Sequence, residues 1–160
     1  RAGWAGGRWG AGGGGGHLVV VNRGPGVGGG IVLGGRVERG RFGIAGEFGH
    51  MQVVADGLRC ECGNRGCWEQ YSSGNALVRE ARTLIAANSP VADDLRARVG
   101  GDPTRLTGPL VTEAAQAGDR TAIELLADVG RWLGVGIANL AAAFDPVSYT
   151  HLTLPTGGQV

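Results

Sequence analysis

Residues 46–69 read GEFGHMQVVADGLRCECGNRGCWE, and the reading of this stretch decides the fold. It carries the chain's three cysteines, Cys60, Cys62 and Cys67, with His50 upstream of them. Three thiolates and one imidazole complete the tetrahedral shell that zinc takes in structural sites. Gly63 and Gly66 fall where a short loop must fold back around an ion. Four protein ligands leave no open coordination position, so the expected Zn2+ is structural rather than catalytic. Three free buried cysteines beside a surface histidine are the plainer alternative. A redox pair fits less well, because no Cys-x-x-Cys is present. The odd, clustered set argues against a disulfide framework and for a reducing, cytoplasmic compartment.

Two carboxylates flank the cluster, Glu47 before His50 and Glu69 after Cys67. Ionised carboxylates only accept hydrogen bonds, so a metal-braced pair suits a ligand rich in hydroxyl groups. Two solvated surface glutamates are the alternative. Further upstream stands Gly24-Pro25-Gly26-Val27-Gly28-Gly29-Gly30. A glycine loop presents backbone N–H groups to phosphate at close range. This one lacks the Gly-Lys-Ser/Thr of a Walker loop and leads into a strand, not a helix, so a glycine-rich hairpin remains open as well.

Working outward, His17–Val21 (HLVVV) has the apolar, β-branched character of a strand. A second strand is expected over Gly30–Leu33, a turn at Gly34-Gly35, and a return strand over Arg36–Arg39. Helical character begins at Trp68. Leu77, Ala81, Leu84 and Ile85 share one helix face, with Ser72-Ser73-Gly74 supplying the N-cap. Residues 88–108 read as mixed, with a turn at Gly100-Gly101-Asp102-Pro103. A short helix follows over Pro109–Ala117, closed by Gly118. The longest helix is expected over Asp119–Phe144, its inner stripe formed by Ile123, Leu126, Gly130, Leu133, Ile137, Leu140 and Phe144. Residues 1–16, with their five-glycine run, are expected to be a poorly ordered start. Residues 147–160 are expected to lie outside the packed domain, as a non-native tail.

Composition narrows the class. The chain has 160 residues, 33 glycines and a net charge of +1, and all of its basic residues are arginine. That charge is too small for a basic nucleic-acid arm, so no nucleic-acid partner is expected. Irregular glycine spacing excludes collagen. No apolar run is expected to reach the ~20 residues of a membrane span. The only methionine is the internal Met51, so the chain is expected to be a piece of a longer protein.

Gly46-Glu47-Phe48-Gly49-His50, followed by Cys60-Glu61-Cys62-Gly63-Asn64-Arg65-Gly66-Cys67-Trp68-Glu69, resembles the zinc and sugar motif of the ROK family of sugar kinases and sugar-responsive repressors. The resemblance continues through Tyr71-Ser72-Ser73-Gly74-Asn75-Ala76-Leu77 to Asp145-Pro146 and covers residues 17–146. Within the family, glucokinases of actinobacterial type are the most similar. The resemblance implies an α/β, actin-like (ribonuclease H-like) ATPase fold, incomplete here. It assigns phosphate-loop hairpins to 17–40, the sugar and zinc loop to 43–70 and a helical part to 74–145. It implies transfer of the γ-phosphoryl group of ATP, with Mg2+, to the 6-hydroxyl of glucose or a related hexose, by a homo-oligomer when intact. On this resemblance Glu47, His50 and Glu69 bind sugar, while His50, Cys60, Cys62 and Cys67 hold Zn2+. Gly24, Gly26, Gly28 and Gly29 correspond to the family's second phosphate-binding loop, usually Gly-Thr-Gly. The general-base aspartate would lie upstream of this sequence, so the chain alone is expected to be inactive. Two departures stand out. Pro25 replaces the loop threonine, and the preceding strand ends Asn22-Arg23 instead of in an apolar residue. A sugar-responsive repressor of the same family, and a zinc-braced structural or interaction module, are the alternative functions.

Overall fold

The computed structural model describes residues 16–146 and, as backbone, the strand at 148–153. The expected poorly ordered start lies, up to residue 15, outside the described residues. Four strands form one sheet in the order β3-β2-β1-β4. Strand β1 is His17–Arg23 and sits between two neighbours, and Leu18 to Val21, whose side chains alternate between the two faces, are all buried. A continuous apolar run is what such a central strand requires. Strand β2, Val27–Leu33, pairs antiparallel with β1, and β3, Arg36–Glu38, returns along its other edge. The connecting Gly34-Gly35 has φ of 55° and 75°, the doubly left-handed geometry that a two-residue hairpin demands.

Strand β2 starts three residues earlier than its apolar residues suggest. Gly28, Gly29 and Gly30 pair with Asn22, Val21 and Val20, so the glycine loop shrinks to Gly24-Pro25-Gly26. Glycine weakens a strand unless something needs the space. At Gly29 something does: a Cβ there would stand 2.3 Å from the ring of the buried Phe48.

Strand β4, Ser148–Thr153, pairs in parallel with β1, Leu18 opposite Ser148 and Arg23 opposite Thr153. This corrects the expectation that the whole of 147–160 lies outside the packed domain. A parallel partner needs a long crossover, which the preceding helix provides. An uncharged, Thr-rich segment is compatible with joining a sheet.

The helices are α1 (Glu69–Ser72), α2 (Gly74–Ala86), α3 (Asp93–Arg98), α4 (Gly108–Gln116) and α5 (Arg120–Phe144). Leu77, Ala81 and Ile85 of α2 pack with Leu95, Leu106, Val111 and Ala122 in an all-helical core. A second core joins Val19, Val21, Val27 and Ile31 of the sheet to Phe48, Trp68 and Leu140. Ser73 caps α2, its hydroxyl accepting from the Ala76 N–H at 3.1 Å. The first two amides of α2 are also used: Gly74 N–H donates to Gly24 O at 2.8 Å and Asn75 N–H to Pro25 O at 3.0 Å. The glycine turn is therefore fastened to the helix start. Ser73→Ala is expected to cost about 1 kcal/mol, read by chemical denaturation.

Helix α5 starts at its cap Asp119, as expected, and most of the expected stripe turns inward, with Leu140 buried and Leu126, Leu133, Ile137 and Phe144 packed against the cores; Ile123 and Gly130 do not. Ala122, Val129, Gly136 and Leu140 are buried, while Ile123 is 47% exposed and Gly130 is exposed. The reason is tertiary. Gly136 faces the buried Trp68, and that contact selects which side turns inward. Helix α5 has 25 residues, and its most apolar 18-residue window has a mean hydropathy of 1.2, so by length and composition alone it could cross a membrane. Arg120, Glu124, Asp128 and Arg131 interrupt it, so it is not the continuous apolar run whose absence was expected. Here its inner face packs on Trp68 and on the helical core.

Candidate functional site

The loop from residue 46 to 69 doubles back on itself through short backbone bonds. Cys60 N–H donates to Asn64 O and Gly66 N–H to Leu58 O, both at 2.8 Å, and Trp68 N–H donates to Met51 O at 2.8 Å. Gly66 has φ of 72°, and a Cβ there would lie 1.7 Å from Val54 O. Only glycine fits at that crossing. The fold-back brings His50, Cys60, Cys62 and Cys67 together, with all ligand atoms within 4.8 Å of one another. Cys60 Sγ stands 3.6 Å from His50 Nδ1, and Cys62 Sγ stands 3.6 Å from Cys67 Sγ. Zn–S bonds of about 2.3 Å and Zn–N bonds of about 2.0 Å give tetrahedral edges of roughly 3.5–3.8 Å. A disulfide would need about 2.05 Å, and all three cysteines are free. The donor set and its spacing thus fit a tetrahedral ion.

Electrostatics differ across the cluster. Burial, with hydrogen bonds from the neighbouring thiols, pushes Cys67 up to about 12. Burial also raises Cys60, whereas the backbone N–H of Asn64 pulls the exposed Cys62 down. Metal binding must remove the thiol protons, so zinc affinity is expected to fall as pH is lowered. A chelator-competition titration at about pH 8 and about pH 6 checks this, with tighter binding and proton release at the higher pH.

The two flanking glutamates are placed differently. Glu69 opens α1, two residues after Cys67, with its Oε1 3.3 Å from Cys60 Sγ and 3.5 Å from His50 Nδ1. Its Oε2 reaches the glycine turn, where a Cβ on Gly26 would be 3.0 Å away. Glu47 is exposed at the start of the 3₁₀ turn Phe48–His50, its carbonyl accepting from His50 N–H at 3.1 Å. Glu69, Asn22, Gly24, Pro25, Gly26, Val27 and Gly28 line a cleft of about 230 Å³. Three of the four glycines named from sequence thus border it with Glu69. The fourth, Gly29, faces the opposite side of the sheet, under Phe48, because successive strand residues alternate. Two larger hollows, of about 520 and 560 Å³, lie over α2, away from this cleft.

Sequence reasoning did not anticipate what anchors the loop. Trp68, fully buried, donates from Nε1 to Trp132 O at 2.6 Å. Tyr71 packs on Trp132 with ring centroids 4.9 Å apart and the rings tilted by 41°, and its hydroxyl accepts from Leu58 N–H at 2.7 Å. Arg23, half-buried and lowered in pKa by that burial, donates from Nε to Ser72 O at 2.8 Å and ties the end of β1 to α1. An arginine at the end of an otherwise apolar strand was the signal available for that tie.

The family model described as "ROK family" matches residues 1–148. The chain belongs to the ROK family. Among ROK relatives, it is 44% identical to the glucokinase of Streptomyces coelicolor over 86% of its own length and 44% of the relative's. It is 38% identical to a putative xylose repressor of a Caldicellulosiruptor species, covering 81% of this chain and 32% of that one. A ROK glucokinase from Streptomyces griseus, solved with glucose and AMPPNP, superposes with a TM-score of 0.83 at 43% identity, over 94% of this chain and 48% of that one. A ROK hexokinase from Thermus thermophilus superposes with a TM-score of 0.77 at 33% identity, over 93% and 46%. The chain therefore has the ROK sugar-kinase fold, that of an actin-like ATPase, and spans about half the length of the relatives it matches.

Proposed function

We propose that this chain is the sugar- and zinc-binding part of a ROK glucokinase. The observation that carries the proposal is the position of Glu69. It follows Cys67 by two residues in the metal-type cluster, yet its carboxylate reaches the glycine turn across one cleft. Likeness to proteins named glucokinase supports the same reading.

His50, Cys60, Cys62 and Cys67 would hold Zn2+, which supplies rigidity and no reactive position. Glu69, together with Glu47 and His50 from the same loop, accepts hydrogen bonds from hexose hydroxyls and orients the sugar. Gly24, Gly26 and Gly28 border the place where a phosphoryl donor, ATP with Mg2+, meets that sugar; Gly29 supports the strand beneath. In phosphoryl transfer such positioning carries most of the catalysis. The general-base aspartate implied by the family lies outside this chain's sugar loop. The zinc-loaded chain is thus expected to bind glucose without phosphorylating it. A reducing cytoplasmic setting, and self-association through the exposed Gly130, Gly134 and Val135 strip of α5, belong to the same reading.

The expected effect of Glu69→Gln is a loss of about tenfold or more in glucose affinity, since hydrogen bonds to charged groups are worth about 1.5–3 kcal/mol. Isothermal titration calorimetry reads it, and unchanged affinity contradicts the assignment. The likeness to xylose repressors supports a second reading, a sugar-responsive repressor with the same site. The sequence preceding the sugar loop in the gene separates the two: a phosphate loop and an aspartate, or a DNA-binding helix-turn-helix.

A further inference from the structure

Between α1, α2 and α5 lies a hollow of about 520 Å³ that the sugar cleft does not share. Its floor is apolar: Leu77 of α2, Leu125 and Val129 of α5, and the half-buried rings of Tyr71 and Trp132. Leu58 of the ligand loop forms one wall, its N–H held by the Tyr71 hydroxyl at 2.7 Å. Val135 of α5 forms another. Leu58 and Val135 are each 42% exposed. The charged side chains of the rim carry both signs in balance. Arg79 pairs with Glu80 at 3.0 Å, and Arg131 pairs with Asp128. The apolar surface continues past the hollow. Beyond Arg131, helix α5 carries no further charge to its end at Phe144, and Gly134, Val135, Ala138 and Ala142 are exposed along it.

We propose that this hollow and the outer strip of α5 form a two-fold interface with a second copy of this chain. The proposal rests on the self-association put forward above and gives it a surface. Charge selects the occupant. A face of one sign asks for a partner of the other sign. A face with balanced signs suits its own copy turned about a two-fold axis, where residue i of one copy meets residue j of the other and j meets i. Both rim pairs are satisfied within the chain, so no unpaired charge on the rim awaits a small ionic ligand. A helix that lies on a membrane surface is rich in Lys and Arg along its polar face, whereas this rim is neutral. Tyrosine and tryptophan are enriched at protein interfaces and carry much of their binding energy, and here Tyr71 and Trp132 form the floor. Closing the hollow takes their exposed parts, with Leu58 and Val135, out of water.

Sedimentation equilibrium of the zinc-loaded 160-residue chain, over about 1–200 µM, reads the interface. The parent is expected to show a monomer–dimer equilibrium with a micromolar Kd. Val135→Asp places an unpaired charge inside the interface and is expected to raise that Kd by about thirtyfold or more. Leu58→Asp, on another wall, is expected to do the same. Val91→Asp changes a side chain that is 61% exposed and does not line the hollow, and is expected to leave the dimer intact. Circular dichroism and zinc stoichiometry verify that each variant is folded; if Leu58→Asp is not, Val135→Asp carries the test. A parent that stays monomeric throughout the range overturns both the interface and the self-association, and leaves the face to a partner other than this chain. A dimer that survives Val135→Asp overturns the surface alone and leaves self-association standing. Equal dissociation by Val91→Asp overturns the surface as well, since added charge and not the hollow would then be the cause. Glucose titration of the same samples reads the glucokinase assignment independently of all three.

Discussion

Cys67→Ser is expected to abolish stoichiometric zinc binding and to lower the melting temperature by about 8–16 °C in zinc-containing buffer. Serine is nearly isosteric with cysteine, so little packing is lost even though Cys67 is fully buried. What is lost is the linkage between metal and fold. An ion present at about a thousand times its Kd stabilises the native state by about 4 kcal/mol. In a chain of this size each 1 kcal/mol moves Tm by roughly 2–4 °C. A chelator added to the unmodified chain should reproduce the drop and should leave the Cys67→Ser variant unmoved. If the chelator shifts neither protein, the cluster of His50, Cys60, Cys62 and Cys67 holds no structural ion.

The second large effect concerns the anchor of the loop. Trp68→Ala is expected to cost about 3–5 kcal/mol, the range for emptying a large aromatic site. Trp68 fills the junction between the ligand loop and α5, and its ring lies against Gly136. The glycine gives a sharper version of the same test. A Cβ on Gly136 would stand 1.9 Å from the indole, so Gly136→Ala is expected to destabilise by about 1–3 kcal/mol through overpacking. Gly130 and Gly134 lie on the same helix with nothing within 4 Å of an added Cβ. There the same substitution is expected to stabilise, by up to about 1 kcal/mol each, from helix propensity alone. Chemical denaturation of the three variants reads the sign. A stabilised Gly136→Ala would remove Trp68 from its place against the helix.

How much of this was legible in the sequence depended on whether the cause was local. Strand β1 announces itself through Leu18 to Val21, and α5 through Asp119 and its length, because a buried run and a capping side chain act within their own segment. The clustering of His50, Cys60, Cys62 and Cys67 is legible for the same reason: their spacing and the turn glycines bring them together. Helix α3 was hidden in a stretch read as mixed, although Asp93 and Asp94 at its start and Arg96 and Arg98 near its end complement the helix dipole. The exposure of Ile123 and Gly130 on α5 was not legible, since Ile123 and Ala122 are both apolar and only packing against the rest of the chain decides between neighbouring positions. Nor was the contact between Glu69 and Gly26 legible. It joins a helix start to a hairpin turn more than forty residues away in the chain, and only tertiary packing brings them together. Gly29 shows the converse: its place in a glycine run suggested ligand contact, whereas strand alternation turned it to Phe48.

The central claim is that the ion in the loop sets the position of a sugar-binding carboxylate. Its most direct test is glucose titration of the zinc-loaded chain against the same chain stripped by chelator, below the melting temperature of both, with folded structure verified by circular dichroism. One glucose per zinc-loaded chain is predicted, with an affinity about tenfold or more weaker after stripping, equivalent to ~1.4 kcal/mol or more. Equal glucose affinity with and without zinc would contradict it.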